Sequence, residues 1–252
     1  MSTSFTSTDL KQVLSFPFKD EKWASKLGIA ALLSLLGFLI FPALILGGYV
    51  YEIMRRVIVQ REAPSLPEWD DWGGYLVNGF KMMGVALIYS IPSLLMMIPY
   101  MGLTFGLPFL TANGSDVEWV VFPAIMLMFL LMGLGMLLMF LAWVFLLPGW
   151  GHMIAKDDFA AAFRIREFWP VLRNNLIGYF LSFVIYMGLM YVVMAVSQIL
   201  MLTVIFCIFY PIALVVSSVY LSMVMGGLFA QAYMDGVEAA GAKEAALVPA
   251  AE

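Results

Sequence analysis

Residues 120–147, VVFPAIMLMFLLMGLGMLLMFLAWVFLL, contain no Asp, Glu, Lys, Arg or His. A helix crosses the hydrocarbon of a bilayer with about 20 predominantly apolar residues, so this run is long enough to span. Further apolar segments lie at 27–54, 82–103, 176–196 and 199–230, bounded or interrupted by Gly, Pro and aromatic residues. The apolar share is 63% and the charged share 12%, with a mean hydropathy of +0.95. A soluble domain has about a quarter of its residues charged. The expected fold is all-α: a polytopic transmembrane helical bundle of four or five spans with interfacial amphipathic helices.

Other classes are disfavoured by what the residues lack. A net charge of -4 is small and dispersed, and no basic run carries interleaved aromatics, so nucleic acid is not a partner. Cys207 is the single cysteine, which rules out an intrachain disulfide or a CxxC site. The chain has no GxSxG, no HExxH, no phosphate-cradling glycine loop and one histidine. The expectation is therefore a protein without enzymatic activity, cofactor or metal. The first apolar stretch runs into Tyr51-Glu52-Ile53-Met54-Arg55-Arg56 without a small-residue cleavage site, and is read as a retained anchor.

Three regions follow: an N-terminal interfacial segment 1–26, a transmembrane domain 27–233, and a flexible, Ala-rich tail 234–252. In the first, Leu10, Val13 and Leu14 recur at helical spacing before Pro17. Basic residues near span ends mark cytoplasmic loops. The connection 55–81 holds Arg55, Arg56, Arg61 and Lys81, and 151–175 holds Lys156, Arg164, Arg166 and Arg173. Connection 104–118 has Asp116 and Glu118 but no base. It is expected outside the cell membrane, with 55–81, 151–175 and the C-terminus cytoplasmic. If 27–54 crosses once, Lys11, Lys19, Lys22 and Lys26 are stranded outside. A break at Phe41-Pro42, where proline removes a backbone donor, would fold the stretch into a re-entrant hairpin and bring every basic cluster inside. Both readings stand at this level. A weak internal duplication, 27–103 against 120–198, aligns GGYVYEIMRR and EWDDW with PGWGHMIAK and REFWP.

Within 55–81, PEWDDW gathers Glu68, Asp70 and Asp71 with Trp69 and Trp72. With Pro67 at a first helical position, the acids fall in the first turn, where they meet unpaired N–H groups. Trp69, Trp72 and Leu76 form one apolar edge, so the motif reads as an interfacial surface helix rather than a metal site. Glu52 is expected to pair with Arg55 and Arg56, Lys81 to snorkel, and His152 to be a solvated interfacial residue. These are the candidate functional charges. The face of Met128, Met132, Met136 and Met139 is read as packing, Gly102-xxx-Gly106 as a site of close helix approach, and Asn113-Gly114-Ser115 as a glycosylation acceptor only in a eukaryotic secretory setting.

PFKDEKWASK, GGYVYEIMRRVI and PSLPEWDDWGGYLVNGFK in this order resemble an uncharacterised family of polytopic prokaryotic membrane proteins, known only as a domain of unknown function. The most specific part is Leu-Pro-Glu-Trp-Asp-Asp-Trp. The resemblance implies a membrane setting and no activity, cofactor or catalytic residue. The reading that follows is a non-enzymatic integral membrane protein, an accessory or scaffold subunit whose partners are the lipid bilayer and other membrane subunits or itself. The alternative is a homo-oligomeric channel or small-solute transporter, and a third reading, which rests only on the aromatic content, is a lipid- or hydrophobe-binding protein.

Overall fold

The computed structural model describes residues 7–112, 118–201 and 209–247. Over these the chain is helical, with eight α-helices and no strand among the described residues. They are α1 Ser7–Ser15, α2 Trp23–Leu35, α3 Ile40–Ile58, α4 Trp72–Ala112, α5 Glu118–Lys156, α6 Ile165–Asn174, α7 Leu176–Met201 and α8 Tyr210–Leu247. Short 3-10 turns at Phe16–Phe18 and Phe159–Phe163 precede α2 and α6. Four stretches are long and apolar enough to cross a membrane: Trp72–Phe109, Trp119–Lys156, Leu176–Met201 and Tyr210–Lys243. The chain is a multi-pass membrane protein. Cys207, Asp116 and the Asn113-Gly114-Ser115 stretch lie outside the described residues.

The chain forms two compact units, Met1–Met83 with Pro148–Glu252, and Gly84–Leu147. In the first unit α8 is the hub, packing against α1, α2, α3, α6 and α7. Its most apolar window is 44% buried, against 17%, 11% and 11% for the other three spans. Of the four apolar stretches among the described residues, the one in α8 is the most buried. One cluster joins Phe16, Leu27, Ala30, Tyr49, Ile53, Leu66, Tyr75, Val219 and Met223. A second joins Val13 to Val224 and Leu228. The second unit holds the middle and far parts of α4 and the near part of α5, where the Ser93 hydroxyl lies 3.9 Å from the Met139 sulfur. Met128 and Met132 line a crevice there with Tyr100, Ile125 and Phe129.

Residues 27–54 do not form one continuous helix. The chain leaves helical geometry at 36–39, and Leu39 takes an extended conformation at φ -85°, ψ 115° before α3 begins. The break falls ahead of Phe41-Pro42 rather than at it, so Pro42 sits in the first turn of α3. There a missing N–H removes no helical bond. The 13 residues of α2 extend about 20 Å at 1.5 Å per residue, too short for a hydrocarbon core of about 30 Å. Phe38, Leu39, Ile40 and Phe41 at the turn are all more than half exposed.

Other expectations change on folding. Residues 61–71 contain no helix, so PEWDDW is not a surface helix, whereas REFWP, its counterpart in the proposed duplication, lies inside α6. The N-terminal segment is helical, but Val13 and Phe16 are buried against α8 and their neighbours. The tail is not loose from 234: α8 continues to Leu247. A Cβ on Gly236 would meet the Val171 backbone of α6 at 2.6 Å, which explains how closely these helices approach there.

Candidate functional site

Glu68 and Asp71 of PEWDDW are bonded within the chain. Lys26 is only 4% exposed, and its ammonium meets Asp20 Oδ2 at 2.6 Å, Glu68 Oε1 at 2.9 Å and the Leu66 carbonyl at 3.2 Å. Three donors find three acceptors, which is what a buried lysine requires. Two more side chains take the next two carbonyls. The Tyr49 hydroxyl donates to Pro67 O at 2.9 Å, and the Tyr75 hydroxyl donates to Glu68 O. The Trp69 indole N–H returns a bond to Lys26 O at 3.2 Å. Its ring stacks on Tyr49, with centroids 4.1 Å apart and planes at 12°, and meets Trp72 at 5.3 Å. The carbonyls of Leu66, Pro67 and Glu68 are thus each held by a different helix, α2, α3 and α4. An irregular segment cannot bond its own backbone, and this clasp supplies the partners.

Asp71 starts α4. Its Oδ1 accepts from Gly74 N at 2.8 Å, and its carbonyl accepts from Tyr75 N at 3.0 Å, an N-cap of the usual kind. Asp70 is exposed. Two glycines then set the crossing of α3 and α4: a Cβ on Gly48 would fall on the Tyr75 carbonyl, and one on Gly79 on the Leu44 carbonyl. The backbones approach so closely that only glycine fits at either position.

His152 is not solvated; it is 5% exposed. Nδ1 lies 2.9 Å from the Tyr233 hydroxyl of α8, and Nε2 lies 3.1 Å from Glu167 Oε2 of α6. A neutral ring protonated at Nε2 donates to Glu167 and accepts from Tyr233, while an imidazolium donates to both. The bond from His152 holds the Glu167 carboxyl below the usual glutamate range, assisted by Arg164. The hydrogen bond from the Lys26 ammonium likewise holds the Asp20 carboxyl below its ordinary value. Burial opposes the Lys26 charge, yet its two carboxylates raise the ammonium above its ordinary value.

The remaining candidate charges form peripheral pairs. Glu52 pairs with Arg55 at 3.5 Å, but Arg56 turns to the Ser65 hydroxyl at 2.9 Å. Lys81 reaches Asp157 at 3.5 Å. Sequence reasoning missed Asp20, Tyr49, Tyr75, Glu167 and Tyr233, because separations such as the 81 residues between His152 and Tyr233 leave no periodic trace. Among the described residues no three His, Cys, Asp or Glu side chains gather as a metal site.

A cavity of about 580 Å³ lies wholly within the first unit, among α2, α3, α8 and the ends of α4 and α5. Ile40, Leu44, Val50, Met82, Met225 and Trp150 form much of its wall. No curated protein and no solved structure matches the chain. Residues 31–205, which carry the end of α2, α3, the clasp segment and α4 to α7, match a family described as protein of unknown function (DUF4013), and the chain belongs to that family.

Proposed function

We propose that this protein is a non-enzymatic accessory or scaffold subunit of a membrane assembly. The carrying observation is the contrast between its two kinds of surface. The ionisable groups near helix ends are engaged in internal ties: Lys26 with Asp20 and Glu68, and His152 with Glu167. The apolar faces of α4, α5 and α7 are left mostly uncovered by the chain itself. On those faces Gly102, Gly106, Gly133 and Gly188 have nothing among the described residues within 4 Å of a would-be Cβ. Small residues of this kind allow a helix from another chain to approach closely. Of the hydroxyls that would line a solute pathway, Ser218 and Ser222 border one cavity with Ser34, and Ser182 and Ser197 do not. Ser182 and Ser197 are buried, while Ser218 and Ser222 bond the carbonyls of Val215 and Val219 in their own helix at 2.8 Å.

The hairpin α2–α3 enters and leaves on the cytoplasmic side, together with connections 55–81 and 151–175 and the C-terminus. The shortness of α2, the exposed apolar turn and the charge rule all support this orientation. The test of function is gentle extraction of the tagged protein from its native membrane, followed by intact-particle mass and identification of co-purifying chains. Stoichiometric foreign subunits are expected. A bare homo-oligomer would instead favour the channel reading.

A further inference from the structure

We infer that the cavity in the first unit is a binding site for one acyl chain of a bilayer phospholipid, seated between the α2–α3 hairpin and α8. The lining chemistry selects this occupant. Apart from three serines, a tryptophan and glycines, the lining is apolar, with Met82, Met83 and Met225 among its residues. Methionine adapts to an irregular apolar guest. The polar side chains with described bonds have no donor to spare: the Ser218 and Ser222 hydroxyls bond within α8, and the Trp150 indole donates to Met82 O at 3.1 Å. A hydrated ion or polar solute would lose its water partners here without replacement. Flux of such a solute through this space is disfavoured.

The size and the surroundings select a lipid tail in particular. At about 580 Å³ the space is far larger than the voids of a packed interior, and lies in the range of about 300–1,000 Å³ typical of ligand sites. It is partly open, and its exposed lining residues, Ile40, Ala43 and Ser218, mark the opening. The opening adjoins Phe38, Leu39 and Phe41, the exposed apolar residues at the hairpin turn, so in a membrane the adjoining medium is hydrocarbon. A tail entering from the bilayer gives up no water-to-oil transfer. It gains the dispersion contacts that an empty wall forfeits, against the cost of ordering its torsions.

The test uses the full chain reconstituted in phosphatidylcholine vesicles containing a small fraction of phosphatidylcholine with a diazirine midway along one acyl chain. Photolabelled residues are mapped by peptide mass spectrometry. Labelling is expected to concentrate on Met82, Met83 and Met225, several-fold above exposed positions on α7 such as Ile177 and Phe180. Ser222→Phe and Ala43→Phe, which add bulk to the wall, should remove that enrichment, and Ser222→Ala should keep it. Labelling that follows surface exposure alone in the wild-type protein overturns the proposal whether or not the filled variants fold. Enrichment abolished by excess unlabelled fatty acid would assign the site to free fatty acid and overturn the phospholipid.

Discussion

Lys26 is buried with three acceptors around its ammonium, and its energetics follow from burial. Removing a buried partner leaves its acceptors unsatisfied, at about 1–3 kcal/mol. Because Asp20 and Glu68 keep 22% and 57% exposure and can recover water, Lys26→Met is expected to lose an amount in the lower part of that range, read as a fall in thermal unfolding temperature in detergent. The pH dependence has a definite sign. Asp20 lies below its ordinary value of 3.8 when folded, so its contribution is fully present above that value and is lost as pH falls through the lowered one. Lys26 lies above 10.5, so its contribution is complete below that pH and is lost as pH rises through the raised value. Asp20→Asn should therefore be less stable at neutral pH and show a shallower loss below about pH 4. Tyr233→Phe strips the buried Nδ1 of His152 of its partner, and a loss of about 1–3 kcal/mol is expected in the same assay.

Glycine has opposite meanings on different parts of the same helix. On α4, Gly79 lies against the backbone of α3, while Gly102 and Gly106 have no atom of the described residues within 4 Å of a would-be Cβ. Gly48→Ala or Gly79→Ala must push two backbones apart, at about 1–3 kcal/mol or more. Gly102→Ala and Gly106→Ala are expected to leave monomer stability unchanged or higher, since alanine is favoured over glycine in a helix by up to about 1 kcal/mol. If that face binds another chain, the same two variants should lower the fraction of assembled particle. Thermal unfolding and intact-particle mass separate the two effects. The α5 terminus has a different device. Asp157 takes a positive φ of 47°, with Asp158 N bonded to Met153 O at 3.3 Å and Asp157 N to Ile154 O at 3.4 Å, closing the helix as a Schellman turn.

For the whole molecule, the question is on which side each end lies. In a Cys207→Ser background, single cysteines at Lys11 and Asn113 should label from opposite sides of the membrane. Same-side labelling would mean that 27–54 crosses once and the hairpin does not return. The C-terminal turns also belong to the folded body, since Glu238 pairs with Arg61 at 3.4 Å and Gly236 lies against α6. Truncation after Met234 should destabilise the protein, while truncation after Lys243 should not.

The membrane-spanning helical class was legible in residues 120–147 alone, because solvent choice depends on composition over a window and not on contacts. A helix start near the PEWDDW acids could be anticipated for a similar reason, since capping concerns local backbone groups; the glycines at the crossing of α3 and α4 could not, since each meets the backbone of another helix. The site itself could not be read this way. Lys26 counted as one more surface base, His152 as a wet interfacial ring and PEWDDW as a helix. Each is overturned by a set of partners that reaches 43 residues away for Lys26 and for PEWDDW, and 81 for His152. The Lys26 ammonium, the Trp69 ring and the carbonyls of 66–68 are satisfied only once three helices converge. Long-range polar pairing has no sequence period, so tertiary structure alone decided it.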